Sequence, residues 1–338
     1  MLTPSDYKKR YENIELPGRT VAVHVNKYRL ASKNANTAAR AAFLAALAKR
    51  GIDVALRIDT GEGIARVDPR VSEHEDALKK HRPDMLLTGL LVPSQHDLVL
   101  TGAGVHRDVR PLGMRRAELA LSSRMDTHVT DWNKLARLVF AGKGSPEACQ
   151  VVLQLADSWG LAVPDVQAYA DSALGLDCNG FVGNYLWHVK DRNPWTNLGA
   201  GDHDLGPDSP IRTGYYDHYQ HRLLDRWESF DTAKMYIMME VGKDGVVING
   251  GGGAADAGHI VITEPNQRND RPGKDPKDPK PSFAVKSVEA TGGHTPEGLW
   301  ESWYTCPNYD SKTKIFSIFR ESMDVGHKDM KVKIAAVS

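Results

Sequence analysis

The clearest periodic stretch in this chain is Asn36-Thr-Ala-Ala-Arg-Ala-Ala-Phe-Leu-Ala-Ala-Leu-Ala-Lys-Arg50-Gly51. Asparagine opens it, alanine fills it and Lys-Arg-Gly closes it, which predicts a capped helix with a glycine stop. Around it, short β-branched or apolar runs predict strands at Thr20–Val25, Asp53–Ile58, Met85–Val92 and Asp97–Thr101. Helical spacing predicts helices over Val71–Lys80, Met114–Met125 and Asp131–Phe140. Ala141-Gly-Lys-Gly-Ser-Pro146 then breaks the pattern. Ser145 is placed to cap a helix that starts at Pro146 and runs to about Ser158.

Beyond the break the order of elements changes. Phe181, Val182, Tyr185, Leu186 and Val189 follow the helical period and predict a helix over Asp177–Lys190. Asn193–Arg212 is rich in Gly, Pro and Asp and reads as a loop, and Tyr215–Trp227 reads as helical. Strand-like runs follow at Lys234–Val241, His259–Thr263, Ser282–Ala290 and Lys314–Phe319, with Lys331–Val337 to close the sheet. A helix followed by a run of strands predicts an α+β domain with an antiparallel sheet. The expected division is a mixed α/β N-terminal domain of unknown role over 1–142 and a second domain over 143–338. Insertions are expected at 191–230 and 265–281. The latter contains KDPKDPKP, whose prolines and charges do not suit a central strand.

Composition narrows the function classes. The chain has 338 residues, 41% hydrophobic and 25% charged, which is a soluble globular profile. Basic and acidic residues balance at 43 each, so binding nucleic acid through bulk charge is not expected. Three cysteines, Cys149, Cys178 and Cys306, do not suggest a disulfide framework. The N-terminus MLTPSDYKKRYENIELPGRT has no apolar run, so neither a secretory signal nor a membrane span is expected. The expectation is a protein made in the cytoplasm that leaves by a non-classical route or by lysis.

The chemistry concentrates in the second half. Asp177 suits an N-cap, which puts Cys178 in the first helical turn, where free N–H groups and the helix dipole favour a thiolate. A buried core thiol is the competing reading of the same position. His259 opens a β-branched strand after a glycine-rich loop and is the candidate base. Glu289 lies on the next predicted strand and is the candidate orienting group, with Asn249 and His294 as alternatives. Asp202-His-Asp204 and Asp217-His-x-x-His221 read as a polar loop and a solvated helix face. Without a paired C-x-x-C or H-E-x-x-H, neither a metal nor another cofactor is expected. Thr101-Gly-Ala-Gly-Val-His-Arg107 lacks the third glycine of a dinucleotide loop, and Gly250–Gly253 lacks the Lys-Ser/Thr of a phosphate loop.

Asp177-Cys-Asn-Gly-Phe-Val182 resembles the Asp-Cys-Ser-Gly-Phe/Leu-Val signature of the NlpC-type cell-wall peptidases. Gly258-His-Ile-Val-Ile262 resembles their Gly-His-Val-x-Ile strand, and Ser287-Val-Glu-Ala290 the strand that carries their third polar residue. The order of the blocks matches, and the resemblance covers about 145–338. It implies a papain-like catalytic domain in which the cysteine helix packs on the antiparallel sheet. It also implies a Cys178–His259–Glu289 triad that cuts amide bonds in peptidoglycan stem peptides through a thioester. Asp177, Asn179 and Gly258 are the implied substrate-binding residues. Asn179 stands where the family has serine, and Glu289 where His, Asn or Gln is commoner. Partners implied are peptidoglycan or a peptide, with a secretion or immunity protein as a further candidate. Protein deamidation, transglutaminase-like chemistry or acyl transfer would use the same triad, and an inactive binding module is the third reading.

Overall fold

The computed structural model describes residues 2–30, 36–49, 57–59, 64–66, 99–101, 104–106, 132–189, 211–249, 258–271, 282–321 and 329–337. The segments expected at Val71–Lys80, Met85–Val92 and Met114–Met125, the loop up to 210 and the glycine run 250–253 lie outside them.

Among the described residues there are six helices of eight or more residues and ten strands. The helices are α1 (Pro4–Glu12), α2 (Thr37–Lys49), α3 (Trp132–Phe140), α4 (Pro146–Ser158), α5 (Val166–Ala173) and α6 (Cys178–Val189). Two small antiparallel pairs join β1 (Arg57–Asp59) to β2 (Ile64–Arg66) and β3 (Val99–Thr101) to β4 (Gly104–His106). The other strands are β5 (Tyr236–Glu240), β6 (Ile260–Arg271), β7 (Ser282–Thr291), β8 (Gly298–Asp310), β9 (Ile315–Glu321) and β10 (Asp329–Ala336). They form a closed barrel in the order β10-β5-β6-β7-β8-β9.

This overturns the expected papain-like α+β layering of a helix on a sheet. The last strand, β10, pairs antiparallel with both β9 and β5, so the sheet closes on itself. Closure needs bent strands. Register shifts between Thr263 and Arg268 and between Thr305 and Asn308 supply bends of that kind. The first bend also corrects the reading of 265–281. β6 continues to Arg271, because a bulge with Asn266 at φ 58° accommodates Pro265 outside the regular ladder.

Other local expectations met tertiary constraints. Tyr215–Trp227 is broken into short turns, because Leu224 N–H donates to Ile334 O at 2.9 Å and pulls the chain out along β10. Thr20–Val25 is not a strand: Val23 makes one isolated bridge with Ile14. Two capped helices match their sequence signals. Asn36 Oδ1 accepts from Ala39 N–H at 2.9 Å, and Ser145 Oγ accepts from Ala148 N–H at 3.2 Å.

Alternation divides the barrel strands into two faces. Val261, Phe283, Val285, Tyr304, Phe316, Ile318 and Val332 pack together inside, joined by Trp227 and Phe230. Ile260, Ile262, Val288 and Ala290 face the other way and join the helical core. That core takes Tyr7 and Tyr11 from α1, Phe43 from α2, Val139 from α3 and Phe181 and Tyr185 from α6. It therefore draws residues from both sides of the expected division at 142. Among the described residues, no helix is long and apolar enough to cross a membrane.

Candidate functional site

Helix α6 is buried on every side along Cys178–Trp187, its polar Asn179 and Asn184 included. The outer face of β6 and β7 lies on one side. On another, Tyr7 packs at 5.6 Å from Tyr185 and 6.0 Å from Phe181, ring centre to ring centre. The helix therefore cannot roll, and its first residue, Cys178, has a fixed position.

Asp177 sets the helix start. Its carbonyl accepts from Phe181 N–H at 3.0 Å, and its Oδ1 accepts from Gly180 N–H at 2.5 Å. Lys143 Nζ lies 2.7 Å from Asp177 Oδ2, so both carboxylate oxygens are engaged by the protein. The resemblance implied substrate binding for Asp177; the structure places it as helix cap and ion-pair partner. Gly142, at φ +81°, directs its carbonyl at Asp177 N–H, 3.0 Å away. A side chain at Gly180 would put its Cβ 2.0 Å from that carbonyl oxygen, so glycine is required there.

Cys178 is 4% exposed, and its Sγ lies 3.9 Å from the carbonyl oxygen of Gly258. Gly258 is itself pressed on Ile248, whose carbonyl oxygen would be 2.7 Å from an added Cβ. The next residue, His259, has a side chain 12% exposed, with Nε2 at 2.6 Å from Glu289 Oε2. Burial alone would push the imidazole pKa down. Hydrogen bonds with Cys178 and Glu289, and the negative charges of both, outweigh it and raise the value to about 9. Nε2 is committed to Glu289, which leaves Nδ1 for the thiol.

Glu289 is fully buried (0% exposed), and strand register explains its neighbours. It pairs with Trp300, while Ser287 pairs with Ser302, Val285 with Tyr304, and Tyr304 with Arg320. All of these share the inner face of the barrel. Oε2 accepts from Arg320 Nη2 at 2.7 Å and from Tyr304 Oη at 3.0 Å, besides His259. Oε1 accepts from Ser302 Oγ at 2.5 Å, and His294 Nε2 lies 3.2 Å from that hydroxyl. Burial would raise the carboxyl pKa, but the hydrogen bonds from His259 and His294 and the charges of His259 and Arg320 hold it far below the usual carboxylate range.

Of the sequence candidates, Cys178, His259 and Glu289 therefore come together. His294 also reaches the cluster, on the far side of Glu289. Asn249 does not serve there: its Oδ1 accepts from Arg212 N–H at 3.1 Å. Asn179 is buried beside Cys178 in the first turn of α6. Tyr215 is buried in the helical core.

Four residues escaped the sequence reading: Tyr28, Ser302, Tyr304 and Arg320. Tyr28 arrives on an N-terminal segment strapped to both sides of the site. Leu176 N–H donates to Lys27 O at 2.8 Å, Arg29 N–H to Leu176 O at 2.9 Å, and Leu299 N–H to Asn26 O at 3.0 Å. Burial and the charges of Cys178 and Asp177 raise the phenol pKa far above its ordinary value. No sequence signal pointed to Tyr28. Recognising Gly298–Asp310 as a strand would have exposed Ser302 and Tyr304 as neighbours of the Glu289 strand.

Chemically, the arrangement offers a thiol at a helix N-terminus, an imidazole able to exchange a proton with it, and a carboxylate that stabilises the charged imidazole. No family model, curated protein or solved structure matches the chain.

Proposed function

We propose that this protein is a cysteine hydrolase that cuts an amide bond by way of a thioester. The observation that carries the reading is the His259 imidazole held between Cys178 and a fully buried Glu289 carboxylate 2.6 Å away. Such a triad is recognised by the roles of its members rather than by the fold that bears them, so barrel closure does not count against it.

In the first step His259 takes the Cys178 proton and the sulfur attacks the substrate carbonyl carbon. The positive end of α6, where the backbone N–H of Cys178 lies, stabilises the developing oxyanion. His259, now an imidazolium held by Glu289, gives its proton to the leaving amine as the C–N bond breaks. Water then attacks the thioester, losing a proton to His259, and the carboxylic acid product leaves as Cys178 regains its proton.

The substrate class proposed is the peptidoglycan stem peptide, on the strength of the Asp177–Val182, Gly258–Ile262 and Ser287–Ala290 blocks. The test is incubation with purified sacculi and with isolated stem peptides, followed by mass spectrometry, with Cys178→Ala as control. Stem-peptide fragments released by the natural chain alone are the expected result. Ammonia from protein glutamines, without wall fragments, would move the reading to deamidation. No product from either, together with a Cys178 that alkylates no faster than a free model thiol, would overturn it.

A further inference from the structure

The Glu289 carboxylate is buried at the polar end of the barrel, where a carboxyl group without a cation would take up a proton. One cation reaches it from two strands away. Arg320 on β9 extends across the inside of the barrel, past Tyr304 on β8, and places Nη2 2.7 Å from Glu289 Oε2. Its Nε donates to Tyr304 Oη at 2.8 Å, and that hydroxyl in turn donates to Glu289. The guanidinium is 4% exposed and thus has little water to compensate it. Because β9 and β7 are not neighbours, the curvature of the closed barrel is what permits this contact.

We propose that Arg320 is a positioning residue for the reaction: it keeps Glu289 ionised, and through Glu289 it keeps His259 charged and aimed at Cys178. The inference rests on the hydrolase reading. The groups that face Glu289 and His259 are Cys178 from α6, His259 just before β6, His294 from the turn after β7, Tyr304 and Ser302 from β8, and Arg320 from β9. Glu240 on β5 adds its negative charge to the surroundings of Arg320, and Tyr28 lies beside Cys178.

The sign of the effect can be tested because two opposed influences meet at His259. Arg320 Nη2 also lies 3.3 Å from His259 Nε2, and a guanidinium acting alone there would repel an imidazolium. If that repulsion dominated, removing Arg320 would favour the charged pair. Under the proposal the ionisation of Glu289 dominates, and removing Arg320 weakens the pair.

The experiment is the pH profile of iodoacetamide alkylation, followed by mass spectrometry of the Cys178 peptide. It needs no substrate. Arg320→Gln should lower the rate at neutral pH about tenfold, the change that one pK unit produces. Arg320→Lys should restore most of it. Glu289→Gln should lower the rate similarly, and Arg320→Gln added to Glu289→Gln should lower it no further, whereas a merely structural role would multiply the losses. An unchanged or faster rate in a folded Arg320→Gln protein overturns the inference. Should that variant fail to fold, Tyr304→Phe removes the shared hydroxyl while keeping the ring; a loss of about threefold supports the proposal and an unchanged rate overturns it. If the natural chain's own Cys178 reacts like a free thiol, the hydrolase reading fails first. If that thiol is activated and Arg320→Gln leaves it so, only the role of Arg320 fails.

Discussion

The two ends of the barrel interior are built from the same strands and have opposite characters. At one end Trp227 stacks on Phe283 at 4.5 Å, Phe230 stacks on Tyr236 at 4.1 Å, and Phe316, Ile318 and Val332 fill the space between. At the other end, the continuing inward positions of β6 to β9 carry His259, Glu289, Ser302 and Arg320. The apolar end is insensitive to local charge and stabilises closure by removing aromatic surface from water. The polar end buries ionised groups, which is tolerable only because each oxygen of Glu289 has its donors. A rigid dry end thus fixes the spacing of strands on which a costly charged cluster depends.

Several experiments separate the two ends. Cys178→Ala should remove hydrolysis by about four orders of magnitude or more while leaving the thermal midpoint close to that of the natural chain; product assays beside calorimetry check this. Glu289→Gln should lower kcat/KM by about a hundred- to ten-thousand-fold and also destabilise, since it leaves Arg320 buried without its carboxylate. Phe283→Ala, at the dry end, should cost about 3–5 kcal/mol of stability by denaturant titration, with kcat of the folded fraction little altered.

The pH dependence gives a fourth, smaller contrast. His259 has its pKa raised to about 9 from an ordinary 6.5, so its contribution to stability is complete below about 6.5 and is lost as pH rises through about 9. Urea midpoints measured from pH 6 to 10 should therefore fall by the equivalent of roughly 3 kcal/mol or less, and His259→Gln should flatten the decline. Activity should fall over the same range, because the leaving amine needs the imidazolium proton. The smallest effect is an expected silence. Burial pushes the Cys306 thiol up to about 12, so iodoacetamide should mark Cys178 and leave Cys306 unlabelled in the native protein.

How much of this was readable follows from where each signal lies. Cys178 and His259 each sit in a short block whose meaning is local: a capped helix start and a strand start. Glu289 was legible because it lies on a β-branched strand close to His259 once the intervening insertion is set aside. Arg320, Tyr304 and Ser302 were not, for a reason that belongs to the barrel. On Trp300-Glu-Ser-Trp-Tyr-Thr-Cys306 the inward positions are Trp300, Ser302, Tyr304 and Cys306, and the outward ones include Glu301 and Trp303. The inside is itself partly polar there, so the alternation of apolar and polar that marks a strand disappears. The first helix was missed for a related reason. PSDYKKRYE reads as charged, and of its buried residues Pro4, Ser5, Tyr7 and Tyr11 the large apolar ones are the two tyrosines, four apart. Closure was least legible, because the pairing of β10 with β5 joins segments far apart in the chain.

That distant pairing also bears on when the proposed Cys178–His259–Glu289 centre could assemble. During synthesis Cys178 emerges well before His259, Glu289 and Arg320, and the strands that hold those three at fixed spacing are complete only once β10 has bridged β9 to β5. Contacts so remote in sequence form late. If Cys178 is the nucleophile proposed above, a growing chain would carry it unarmed past the machinery that makes it, and the proposed centre would switch on as the barrel shuts.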